Sequence, residues 1–204
     1  MQIIIRSINC IDIYKMISSV FKQIGSDIDG EASFDYSGSS VSLSSDGNVV
    51  AIGAEYNDGN GSSSGHVRIY KNVNNSWIKV GEDIDGEAAF DYSGSSVSLS
   101  ADGNVVAIGA ESNDGNGSSS GHVRIYKNVN NSWIKVGEDI DGEAALDYSG
   151  SSVSLSSDGN VVAIGAKYNY GNGSSSGHVR IYKNVNNSWI KVGEDIDGEA
   201  ALDY

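Results

Sequence analysis

Apolar and polar residues alternate in short runs along this chain, and glycine, asparagine and aspartate punctuate the runs. In residues 40–44, Val41 and Leu43 fall on one face and Ser40, Ser42 and Ser44 on the other. Period two with a polar partner face predicts a half-buried strand. Ser45-Asp46-Gly47-Asn48 follows, and Asp-Gly supplies the positive φ angles of a tight hairpin. Residues 49–54, Val-Val-Ala-Ile-Gly-Ala, are apolar on both faces, which predicts a strand covered on both sides. Gly53 in its interior predicts close approach of another backbone. Residues 55–65 form a polar loop longer than a hairpin needs, so it projects. A third strand is expected over 66–73, with Val67 and Ile69 inward and Arg68 and Tyr70 on the other face. Asn74-Asn75-Ser76 turns the chain into a fourth strand over 77–81, and residues 83–94 lead onward. No stretch keeps a three-to-four period over ten residues, so no helix is expected.

This pattern recurs with a step of 56 residues, starting at Gly25, Gly81 and Gly137, with a fourth start at Gly193. The expected organisation is a worn partial repeat over 1–24, repeats over 25–80, 81–136 and 137–192, and the opening of another over 193–204. In the worn part, residues 11–15 match 123–127, Phe21 falls where Trp133 falls, and Gln2 to Arg6 is a further candidate strand. Four antiparallel strands per unit predict an all-β fold of β-propeller blades, three full and one incomplete. Stacked neighbours bury the sheet faces that one blade leaves open. An open β-solenoid is the alternative, but its shorter sub-period is not seen inside 56 residues. The strand that would complete the mixed blade lies beyond Tyr204, so the expectation is a fragment of a longer propeller with open edges able to associate.

The second and third copies differ at Phe90/Leu146, Ala101/Ser157, Glu111/Lys167, Ser112/Tyr168 and Asp114/Tyr170. Three of these five changes fall in the long loop, which is therefore expected to face solvent or a partner while the strands hold the core.

The formal charge of -14 argues against nucleic acid as a partner, since that needs a basic patch. Cys10 is the only cysteine, so no intrachain disulfide is possible. Arg6, Asp12 and Lys15 interrupt the apolar positions of the N-terminus. Neither a clean signal peptide nor a membrane span is recognised, and the compartment stays open.

Four recurring words carry a family resemblance. They are Asp-Ile-Asp-Gly-Glu, Asp-Tyr-Ser-Gly-Ser-Ser-Val-Ser-Leu-Ser, Asp-Gly-Asn-Val-Val-Ala-Ile-Gly-Ala and Gly-His-Val-Arg-Ile-Tyr. From Ile11 onward the chain resembles the FG-GAP-type repeat family, similar to the N-terminal propeller of integrin α chains. The resemblance implies a propeller used for adhesion, ligand display or protein contact, and does not imply a catalytic activity. Integrin-like members carry a calcium loop between the first two strands. Here that place holds only residues 45–48 and their equivalents 101–104 and 157–160. Ca²⁺ wants six to eight oxygens, so no calcium site is carried over.

Four residue sets are candidates for chemistry. The acidic series Asp27, Asp29, Glu31 and Asp35 recurs as Asp83, Asp85, Glu87 and Asp91, and as Asp139, Asp141, Glu143 and Asp147. It either holds Ca²⁺ or caps turns through Asx hydrogen bonds. Asn57, Asp58 and Asn60 recur as Asn113, Asp114 and Asn116, but as Asn169, Tyr170 and Asn172 in the third copy, where Lys167 replaces the acid of Glu55 and Glu111. A metal role is altered there, and the competing expectation is a flexible surface loop. His66, His122 and His178 are the only histidines, one per unit; blade rotation separates them, so no shared metal is expected. Trp77, Trp133 and Trp189, with Tyr70, Tyr126 and Tyr182, either pack between blades or form a carbohydrate or peptide platform.

No catalytic, metal or cofactor residue is assigned from spacing. The leading expectation is a non-enzymatic module for protein or glycan contact, or a structural part of a larger protein. The alternatives are a calcium-dependent adhesion module and an enzyme with its site in the central channel.

Overall fold

A computed structural model of the 204-residue chain describes residues 23–201. The expectations for the worn repeat up to residue 22, including Cys10 and the candidate strand 2–6, lie outside the described residues. The described chain is all β, with three copies of one sheet. The first contains β1 (Ser40–Leu43), β2 (Val49–Ala54), β3 (His66–Val73) and β4 (Ser76–Lys79) in sequential antiparallel order. The short β5 (Ile84–Asp85) pairs with the start of β3, placing Asp85 opposite His66. β6 (Ser93–Leu99), β7 (Val105–Ala110), β8 (His122–Val129), β9 (Ser132–Lys135) and β10 (Ile140–Asp141) repeat this arrangement. So do β11 (Ser149–Leu155), β12 (Val161–Ala166), β13 (His178–Val185), β14 (Ser188–Lys191) and β15 (Ile196–Asp197). Three such sheets are three propeller blades.

Local chemistry closes the first hairpin of each blade. Gly47 adopts φ +69°. Asp46 Oδ1 accepts hydrogen bonds from Ser44 Oγ at 2.7 Å and Asn48 N at 3.0 Å. These donors stabilise the charged carboxylate and lower its pKa to about 2, the Ser44 hydroxyl contributing most.

The core lies between sheets. Ala51, Val67, Ile69 and Ile84 of the first blade pack with Leu99, Val106 and Ile108 of the second. Ala107, Val123, Ile125 and Ile140 of the second pack the same way with Val162 and Ile164 of the third. Each buried Val or Ile contributes about 1.5–3 kcal/mol, so neighbouring blades stabilise one another. The half-buried expectation for Val41 and Leu43 fails in the first blade, where they are 63% and 60% exposed. Their equivalents Val97 and Leu99 face the first sheet and are covered.

Polar contacts fix the seams. Ser40 Oγ donates to the Gly94 carbonyl and Ser96 Oγ to the Gly150 carbonyl, each at 2.7 Å. Ser42 Oγ accepts from Leu99 N, and Ser98 Oγ from Leu155 N. The expected close approach at Gly53 is present: a Cβ there would overlap the Gly94 carbonyl oxygen.

Candidate functional site

Arg68, expected on the face opposite Val67 and Ile69, is buried, as are Arg124 and Arg180. The linker entering each blade covers that face. Arg68 Nη2 donates to the Asp29 carbonyl at 2.9 Å and Arg124 Nη2 to the Asp85 carbonyl at 2.7 Å. Arg180 Nη2 donates to the Asp141 carbonyl at 2.9 Å. The guanidinium thus pins the linker and draws in the acid two residues further on. Arg68 Nη1 lies 3.2 Å from Glu31, and Arg180 Nη1 3.2 Å from Glu143.

The linker also brings that glutamate to a histidine. His66 Nδ1 lies 4.0 Å from Glu31 Oε2 and 3.9 Å from Asp83 Oδ2. Three clusters result: Glu31/His66/Asp83, Glu87/His122/Asp139 and Glu143/His178/Asp195, each with ligand atoms within 4.8 Å of one another. The imidazoles are buried, the glutamates exposed and the aspartates between. Burial lowers the pKa of all three histidines, that of His122 to about 4, with the Arg124 charge adding to the effect. A neutral imidazole offers a lone pair, which is the form a metal ligand needs.

Zn²⁺ and similar ions sit about 2.0–2.2 Å from nitrogen and oxygen ligands. The present separations therefore need a closure of well under an ångström per atom. Asp83 already accepts from Lys79 Nζ at 2.6 Å. That pair is partly exposed, worth about 0–1 kcal/mol, so an ion displaces it cheaply. His122 Nε2 and His178 Nε2 are buried without a hydrogen-bond partner. Ligation through Nδ1 leaves each N–H unpaired, at a cost of about 1–3 kcal/mol. The donor set fits a borderline divalent ion.

The other candidates separate. The acidic series does not converge within itself. Asp27 accepts from Gln23, and Asp83 pairs with Lys79. Asp91 Oδ2 caps its turn through Ala88 N and accepts from Asn113 Nδ2. The Asn/Asp loop is tied down where flexibility was expected. Asn57 is buried, donates to Asp35 Oδ2 and accepts from Gly59 N. Asn60 Nδ2 donates to the Gly86 and Glu87 carbonyls, and Asp58 Oδ1 accepts from Ser63 N. These oxygens serve the backbone. The tryptophans clamp the seams: Trp133 Nε1 donates to the Val80 carbonyl and Trp189 Nε1 to the Val136 carbonyl, each at 2.8 Å. Their rings pack against the two inter-blade cores. Tyr126 and Tyr182 join the same cores.

The linkers also hold aromatic residues, and in the third copy a leucine, in a left-handed conformation. Phe34, Tyr36, Phe90, Tyr92, Leu146 and Tyr148 all have positive φ, between 52° and 73°. Such conformations cost about 1–3 kcal/mol each in bulky residues. Tyr36 and Tyr56 meet at a tilt with ring centroids 5.0 Å apart, and Tyr56 and Tyr92 meet edge to face at 5.2 Å. Tyr148 and Tyr168 lie 5.2 Å apart.

What sequence reasoning missed is that Glu31 and Asp83, from linkers one repeat apart, meet at His66. The signal was present as a fixed offset of Glu, His and Asp in every copy. It was hidden because the acids were read as members of one contiguous series.

Residues 27–70 are similar to an FG-GAP repeat. No curated protein sequence matches the chain. Among solved structures, a Bacteroides uniformis protein named as a 6-phosphogluconolactonase is similar at 15% identity and a TM-score of 0.52, over 77% of this chain and 40% of that one. The periplasmic gluconolactonase of Pseudomonas aeruginosa is similar at 13% identity and a TM-score of 0.44, over 82% of this chain and 59% of that one. This chain thus spans less than two thirds of the length of either structure. The first likeness shows the shared fold. No helix among the described residues is long and apolar enough to cross a membrane.

These findings correct the expectation of a non-enzymatic module for protein or glycan contact. The described residues hold three metal-competent Glu/His/Asp clusters, and the structure sharing the fold is named for an enzyme activity. Spacing alone had shown no catalytic constellation, because each cluster draws its acids from two different linkers.

Proposed function

We propose that the protein is a metal-assisted hydrolase acting on a cyclic ester of a sugar acid. The observation that supports this reading best is the buried imidazole of His66, 3.9 and 4.0 Å from two carboxylates, with a Glu/His/Asp cluster at the equivalent place of each blade. Glu31, His66 and Asp83 would hold a divalent ion, as would the equivalent triads. Such an ion supplies Lewis acidity at a carbonyl oxygen and at water. Arg68 holds Glu31 in place through its contact at 3.2 Å. In the reaction water adds to the lactone carbonyl, the ring C–O bond breaks, and the released alkoxide oxygen takes up a proton. The neighbouring fold's name suggests the substrate class to try first. The formal charge of -14 disfavours a phosphorylated substrate, so an uncharged lactone such as gluconolactone is the better fit.

The test is hydrolysis of gluconolactone by protein stripped with a chelator and reloaded with Zn²⁺, Mn²⁺ or Ca²⁺. One ion should raise both the melting temperature and the rate above the spontaneous one. The triple variant His66→Asn, His122→Asn, His178→Asn should lose both responses while keeping its β circular dichroism. A rate that never exceeds the spontaneous one with any ion, alongside unchanged melting, would sink the reading.

A further inference from the structure

We propose that Tyr36, Tyr56, Tyr92 and Glu55 form a binding site for an organic ammonium ion. The third blade supplies the template. Lys167 Nζ sits 5.5 Å from the ring centroids of both Tyr148 and Tyr168, and 2.7 Å from Glu111 Oε2. One ammonium is thus held by two aromatic faces and a carboxylate from the neighbouring blade. Ring faces carry negative potential, and a carboxylate completes the charge match.

The first blade keeps the rings and replaces the cation. Tyr36 and Tyr56 correspond to Tyr148 and Tyr168 at the 56-residue step, and their rings lie 5.0 Å apart. Tyr92 adds a third ring, 5.2 Å from Tyr56. The position of Lys167 is taken by Glu55. Among the described residues Glu55 has no ion-pair partner, because Lys167 is engaged by Glu111. Burial and the Glu111 charge raise the Glu55 pKa, while Lys167 works in the opposite direction. An added cation relieves both costs. The residues are within reach of a ligand, with Tyr36 60% and Tyr56 42% exposed.

The chemistry also selects the ligand. Glu55 and Glu111 repel anions. Methylated ammonium is the preferred cation, since it loses little hydration on moving against an aromatic face. The second blade carries Ser112 where the first and third have tyrosine, so the three-ring arrangement occurs once among the described residues. None of these residues belongs to the Glu/His/Asp clusters, and the site stands independently of the metal reading.

The experiment is a calorimetric and tyrosine-fluorescence titration of the full chain with choline, in chelator so that no metal contributes. The uncharged isostere 3,3-dimethylbutanol is the control. Saturable choline binding is expected, at least tenfold tighter than the isostere. Glu55→Lys copies the third blade and Tyr56→Ser copies the second, so both should fold. Each should weaken choline binding at least tenfold with unchanged melting temperature. Equal binding of the isostere, no saturation with choline, or full binding by Glu55→Lys would overturn the assignment. Binding of methyl glucoside in place of choline would also overturn it, marking a sugar platform.

Discussion

Buried imidazole beside buried guanidinium has a consequence that can be read against pH. His66, His122 and His178 keep pKa values below the usual histidine range in the folded chain, His122 at about 4. The unfolded chain titrates near 6.5. Between those values the unfolded state binds a proton that the folded state excludes, so stability rises with pH across this window. The stabilisation is complete above about pH 6.5 and is lost progressively as pH falls towards 4. Urea unfolding of the chelated protein at pH 7.5, 5.5 and 4.5 should show this slope. His122→Gln, which cannot titrate, should flatten it by up to about 1.4 kcal/mol per pH unit. Comparing the two proteins removes the contributions of Glu55 and Asp141, whose raised pKa values act in the opposite sense. Asp46 and Asp158, lowered to about 2, lose their contribution only below about pH 4. At this scale the hairpin turn was legible, because Asp-Gly marks it and Gly47 takes the positive φ; the hydrogen bonds that Asp46 accepts were not read. The histidine environment was not, because its partners lie 35 residues before and 17 residues after it in sequence.

Elements were legible where they obey a period and obscure where they do not. The second, third and fourth strands of each unit appear within two residues of their expected limits. β5, β10 and β15 were missed because two residues show no alternation; backbone pairing with the start of the third strand defines them. Alternation placed Arg68 opposite Val67 and Ile69 but cannot report that another segment lies over that face. The tryptophan strand is the element whose energetics best test inter-blade packing. Trp133 is half-buried, packs on the inter-blade core and against Gly81, and donates to the Val80 carbonyl. A fully buried tryptophan costs about 3–5 kcal/mol on truncation to alanine. Half exposure reduces this, so Trp133→Ala should destabilise by about 2–3 kcal/mol in urea unfolding. Trp133→Phe should lose about 1 kcal/mol with the hydrogen bond. A Trp133→Ala protein as stable as the parent would mean the indole is a surface platform and no part of the seam.

At the scale of the whole molecule, identical sequence in different surroundings permits a controlled comparison. Gly53, Gly109 and Gly165 occupy the same position of the same strand, and each lies close to a serine hydroxyl of its own sheet, Ser40, Ser96 or Ser152. Among the described residues only the first two also face a neighbouring blade, where a Cβ would overlap the carbonyl oxygen of Gly94 or Gly150. A serine hydroxyl can rotate away. A carbonyl held in a seam cannot move without separating the sheets, which also share the buried cores. Gly53→Ala and Gly109→Ala should therefore each destabilise by about 1–3 kcal/mol, as overpacking does. Gly165→Ala meets only the hydroxyl, and it also restricts the unfolded chain, which favours folding by about 0.4–1 kcal/mol. It should stay within about 1 kcal/mol of the parent. Denaturant midpoints of the three single variants decide the matter. Three equal losses would show that strand conformation selects glycine here, and the packing of one blade's backbone against the next would no longer explain why each copy keeps Val-Val-Ala-Ile-Gly-Ala.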